Sequence, residues 1–147
     1  MTHAPPTTEA AALPRDAAAF LRLVLRVDSV STAVMGVVLI AAAGPLGSAT
    51  GMPVAFSVAF GIYQIGGAAA LALIAGYPVI PDGLAWTVVA VNAASAVACV
   101  VVAFGDMVSL TGFGVAFMLI GALIVTVYAA LEYSGLRRMT GGTAPRG

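Results

Sequence analysis

Gln64 and Asn92 are the side chains best placed to do chemistry in an otherwise apolar sequence. Each is a carboxamide near the centre of an unbroken apolar run, where an unsatisfied amide costs several kcal/mol. A carboxamide donates and accepts hydrogen bonds but carries protons poorly. The chemistry on offer is therefore a polar spot in a solute path, or more simply an interhelical hydrogen bond worth on the order of 1 kcal/mol. Counted at about 1.5 Å per residue from opposite ends of antiparallel helices, the two amides come within about one helical turn in depth, so they are expected to be buried in the bundle and within hydrogen-bonding reach, directly or through one neighbour.

Charge gathers at the ends of the apolar region. Arg22, Arg26 and Asp28 stand where the first run begins, and Glu132, Arg137 and Arg138 stand where the last one ends. Arg22 and Arg26 share a helix face through their i,i+4 spacing, whereas Asp28 points elsewhere. At about 7 Å inside a span starting near residue 23, Asp28 is the deepest acid, and it is expected to pair with an arginine of this ring or with a helix N-terminus. The six residues are expected to form a collar that contacts lipid headgroups and sets topology. The alternative is that Asp28 couples protons or binds an ion, with Ser29, Ser31 and Thr32 as added oxygens, although hydroxyls near a helix start more often bond backbone.

Other reactive groups are scarce. Cys99 is the single cysteine and lies in an apolar run, which excludes an intrachain disulfide, a Cys-x-x-Cys redox pair and a thiolate zinc site. The single histidine, His3, lies outside the apolar runs, so one chain cannot hold a haem between two histidines. No cofactor and no metal is expected.

The elements that position these residues follow from composition. Of 147 residues, 61% are hydrophobic and 8% charged, against about 25% charged in soluble domains. A water-soluble fold of this length could not hide that much apolar surface, whereas a helix facing hydrocarbon needs no polar side. Four apolar runs, at about 23–43, 55–75, 84–104 and 110–131, are each near the roughly 20 residues that cross a bilayer. Gly44-Pro45-Leu46-Gly47 through Pro53, Gly76-Tyr77-Pro78 through Gly83, and Gly105-Asp106 read as the turns between them. The short turns predict an all-α, four-helix transmembrane bundle running up-down-up-down over residues 20–138. Runs such as VVAVNAASAVACVVVAF do not alternate, which argues against a membrane β-barrel.

Residues 1–19 and 139–147 read as disordered tails rich in small residues, proline or both. No signal peptide is expected, because Arg15, Arg22 and Arg26 lead into a full-length span. All six basic residues are arginines near the two ends of the chain, and the turns after spans one and three contain none. Both termini are accordingly expected on the cytoplasmic side of a cell (inner) membrane. Trp86, Tyr77 and Tyr133 suit an aromatic belt at that boundary. Abundant glycine and alanine, among them Gly36, Gly61, Gly66, Gly67, Gly114 and Gly121, predict close helix packing.

The segments LRLVLRVDSVSTAVMGVVLIAAAGP and VVAVNAASAVACVVVAFG resemble small four-span integral membrane proteins of bacteria, and the outline over residues 20–138 is similar to DoxX-like proteins. The resemblance implies a four-span bundle and transfers no catalytic residue. The lysine-free, Ala- and Arg-rich usage points to a high-GC source of actinobacterial type. Small multidrug transporters also have four spans, but resemblance to them would imply a glutamate within the first span, where this chain has Asp28. The quinone-coupled thiol oxidases need paired cysteines, which this chain lacks.

Packing residues, a charge collar and no recognisable reaction centre lead to the expectation of a non-catalytic accessory or interaction subunit of a membrane assembly. The alternative is a small-solute transporter or channel acting as a homo-oligomer, with Gln64, Asn92 or Asp28 lining the path. Expected partners are the lipid bilayer and a second copy or another membrane protein. A net charge of zero gives no reason to expect nucleic acid.

Overall fold

The computed structural model describes residues 8–141. The chain forms α1 (Thr8–Ala41), α2 (Ala43–Thr50), α3 (Val54–Gly76), α4 (Asp82–Phe104) and α5 (Gly112–Gly141), with no strand among the described residues. Four segments are long and apolar enough to cross a bilayer: Arg15–Ala41, Val54–Gly76, Asp82–Phe104 and Gly112–Gly141. At about 1.5 Å per residue even the shorter ones reach about 35 Å, enough for a hydrocarbon core of about 30 Å. The chain is therefore an all-α, multi-pass membrane protein.

The helices overrun the expected boundaries at both ends. α1 occupies most of the segment read as an N-terminal tail, since it runs from Thr8, and α5 continues to Gly141. Residues 1–7 and 142–147 of the expected tails lie outside the described residues. Alanine is the best helix former, and Ala17 is buried against the bundle, so the N-terminal extension has both propensity and a packing surface. The first turn also differs: Ala43–Thr50 is the short helix α2. Pro45 falls in its first turn, where a missing N–H is tolerated, and Gly51 ends it at φ 80°, a left-handed conformation natural only to glycine.

α1 packs against α3 and α5, and α5 packs against α4. α3 and α4 follow one another in the chain yet barely touch. The α1–α3 crossing is closest at two glycines: a Cβ on Gly36 would lie 2.9 Å from the Gly61 carbonyl oxygen, and one on Gly61 would lie 2.7 Å from that of Gly36. Two serines tie the same pair of helices, with Ser29 Oγ donating to the Ala68 carbonyl and Ser57 Oγ to that of Leu39, both at 2.8 Å. Backbone contact through small residues, reinforced by hydroxyl hydrogen bonds, holds helices together where lipid removes any hydrophobic drive.

The end of the bundle that carries the arginines is closed by Leu21, Leu25, Ile74, Ile80, Val88 and Leu136. There the Arg22 Nη2 donates to the carbonyls of Tyr77 (2.7 Å) and Pro78 (3.1 Å), pinning the α3–α4 turn to α1. Arg137 lies over the Tyr133 ring and Arg138 over Phe20, while Trp86 meets Tyr133 edge-on. At the opposite end Thr111 Oγ1 donates to the Ala49 carbonyl and Thr111 N to that of Thr50, joining α2 to the α4–α5 turn.

Candidate functional site

Asp28 on α1, Asn92 on α4 and Glu132 on α5 converge in the interior. Asn92 Nδ2 donates to Asp28 Oδ2 and to Glu132 Oε2, each at 2.9 Å. Thr32, one turn beyond Asp28, donates its hydroxyl to Asp28 Oδ1 at 2.8 Å. Both carboxyl groups are fully enclosed, Asp28 at 2% and Glu132 at 1% exposure. Glu132 Oε1 is buried with no hydrogen-bond partner. Asn92 is about 15 Å from the start of α4 and about 18 Å from its end, so the cluster sits at mid-height.

Beside the cluster lies a groove of about 280 Å³ between α3 and α4, floored by α1 and α5. Its walls are mainly apolar, including Met35, Phe60, Leu71, Val91, Phe117 and Ile124. The polar groups that reach it are Thr32, Tyr63, Gln64, Thr87, Asn92 and Ser95. Tyr63 Oη and Ser95 Oγ are 2.8 Å apart and bridge the two walls. The gap persists because small side chains, Gly67, Ala70 and Gly121, line it where larger ones would fill it.

Gln64 and Asn92 are half-buried rather than buried, and the expected hydrogen bond between them, direct or through one neighbour, does not form among the described residues. Both residues line the groove, but both Asn92 N–H groups are committed to carboxylates, and the Gln64 amide has no hydrogen-bond partner among the described residues. Equal depth did not bring them together, because α3 and α4 stand apart.

The expected collar also divides. Arg22, Arg26, Arg137 and Arg138 stay at one end, with Arg26, Arg137 and Arg138 exposed. Asp28 and Glu132 leave it for the interior, and no arginine pairs with either among the described residues. The sequence places the start of the span at the arginines, whereas α1 begins well ahead of them, at Thr8, and carries Asp28 deep into the helix. Arg22, six residues away, extends its guanidinium to the carbonyls at the end of the bundle, and Arg26, two residues away, lies on another face of the helix and is exposed.

Thr32, Tyr63 and Ser95 complete the arrangement, and sequence reasoning gave Tyr63 and Ser95 no role. One signal was available: Asp28 and Thr32 share a face at i,i+4, as do Tyr128 and Glu132. The second pair recurs here, since Tyr128 Oη meets Ser31 Oγ at 2.9 Å, cross-linking α5 to α1 beside the acids. Chemically, the site can hold a small apolar molecule against a few hydrogen-bonding groups, with two carboxyl groups directly behind them. Among the described residues no group of three or more His, Cys, Asp or Glu side chains could hold a metal ion.

No protein-family model matches this chain, and comparison with curated proteins and with solved structures finds no significant match.

Proposed function

We propose that this multi-pass membrane protein is a non-catalytic carrier that binds a small, largely apolar solute in the α3–α4 groove. The observation that supports this reading above the accessory role is the groove itself, about 280 Å³ and reached by both Gln64 and Asn92. An apolar concavity with a few convergent polar groups is the usual form of a small-molecule site. Sequential helices held apart forgo dispersion contacts that a purely structural bundle would make. In this reading the arginine-bearing end faces the cytoplasm of a bacterial cell, with both termini on that side.

The accessory reading keeps one specific support. Gly66, Gly67, Ala69 and Ala72 expose a small-residue surface on α3 that would accept a helix of a second copy or another subunit.

Photolabelling in lipid nanodiscs separates the two. A benzophenone solute should label groove residues on α3 and α4 saturably. Gly67→Trp should abolish that labelling with the fold intact, because a Cβ at Gly67 meets nothing within 4 Å and the indole would project into the groove. Labels spread evenly over all lipid-facing helices would refute the carrier reading. Dissociation of an oligomer by Gly67→Trp, without saturable labelling, would restore the accessory role.

A further inference from the structure

We propose that Asp28 and Glu132 form a proton site, sharing one proton when the groove is empty and drawing in a second when a solute bearing a hydrogen-bond acceptor fills it. The proposal rests on the carrier reading for its second half only.

The donor count carries the first half. Three donors face the two carboxyl groups: two N–H of Asn92 and the hydroxyl of Thr32. Glu132 Oε1 is left buried with none, at a residue 1% exposed. Both carboxyl groups accept from the same Asn92 nitrogen, each at 2.9 Å, so the two are held side by side, and neither can donate to an acceptor unless it carries a proton. Two like charges enclosed together in a low-dielectric interior repel strongly, and an unpaired buried charge is among the most costly features a fold can hold. One shared proton halves the charge and gives an oxygen a donor.

No neighbouring cation does that work instead. α1 contributes Arg22 and Arg26, but Arg22 is turned to the Tyr77 and Pro78 carbonyls and Arg26 is exposed. α4 contributes only the uncharged Asn92. α5 contributes Tyr128, bonded to Ser31, and Arg137, stacked on Tyr133. α3 brings no charged group: its Tyr63 is hydrogen-bonded to Ser95 across the groove, and the helix meets α1 through the Ala68 carbonyl and Ser29.

The second half follows from two residues with two faces. Asn92 and Thr32 donate to the carboxylates and also line the groove. A solute with a carbonyl or ether oxygen competes for those N–H and O–H groups. A carboxylate that loses its donor becomes costlier as an anion, so it takes a proton from water to form a neutral carboxyl group. Solute binding and proton uptake are thereby linked in the same direction, and each strengthens the other.

Infrared spectroscopy of the full chain in nanodiscs at neutral pH, with a pH-indicator dye in weak buffer, tests both halves. The resting protein should show the carbonyl absorption of one protonated carboxyl group. Glu132→Gln should remove it, because the acid whose Oε1 is buried without a donor is then gone. Saturation with benzophenone should increase the absorption and take up about one proton per chain from the medium. Absence of the resting absorption would overturn the proposal, as would its loss on replacing choline chloride with sodium chloride at constant pH, which would reveal a metal cation there. Saturable benzophenone binding without proton uptake would overturn the linkage while the carrier reading stands. Failure of benzophenone to bind would sink the carrier reading and the linkage, and the resting absorption would still decide the shared proton.

Discussion

The Asn92 amide hydrogen-bonds the Asp28 carboxylate at 2.9 Å, joining the middle of α4 to the middle of α1 across 64 residues of sequence. With its second N–H on Glu132, Asn92 ties three helices through one side chain. Hydrogen bonds to charged groups are worth about 1.5–3 kcal/mol each, and breaking a buried polar cluster leaves its acids without donors.

Asn92→Leu should therefore destabilise the bundle by about 2–4 kcal/mol, measured by thermal denaturation in detergent. Gln64→Leu should stay within about 0.5 kcal/mol of the parent protein, as for a side chain with no partner to lose. Equal losses at both positions would show that the two amides do share a bond.

Gly61→Val should weaken the α1–α3 crossing by about 1–3 kcal/mol or more. Its Cβ would meet the Gly36 carbonyl oxygen at 2.7 Å, and backbone cannot swing aside as a flexible side chain does. Gly66→Ala, five residues along the same helix, meets nothing within 4 Å and should gain up to about 1 kcal/mol from helix propensity. Stabilities in the reverse order would contradict the packing described.

Tyr63→Phe removes the strut to Ser95 that bridges the groove. Because the pair is largely exposed, stability should change by less than about 0.5 kcal/mol. The effect should appear in geometry: spin labels at Ala59 and Val100 should report a broader α3–α4 distance distribution by electron–electron resonance. An unchanged distribution would mean that the groove width is set elsewhere.

Topology can be checked with reporter fusions. Green fluorescent protein at the C-terminus should fluoresce and alkaline phosphatase there should be inactive, with the opposite result for fusions in the α4–α5 turn near Asp106. Phosphatase activity at the C-terminus would invert the orientation.

The sequence by itself determined the medium and the elements. Four apolar runs without a central lysine or arginine can only be helices facing lipid, so α3 and α4 fell within two residues of their expected bounds. Helix identity is a local property, set by composition over about 20 residues. The sequence also singled out Gln64 and Asn92 as central amides and Asp28 as the deepest acid of the collar, because a polar group in an apolar run calls for a partner, and of the two amides only Asn92 has one among the described residues. Which partner was decided only by tertiary structure. Helices without a hydrophobic drive associate wherever backbones can approach, here at Gly36 and Gly61, and that choice put α1 between α3 and α5. Asn92 consequently turned from Gln64 to Asp28 and Glu132, and an acid assigned to the arginine collar became half of a buried pair. Depth can be counted along a chain, but the neighbour at that depth depends on how helices rotate and tilt, which is fixed by contacts between residues far apart in sequence.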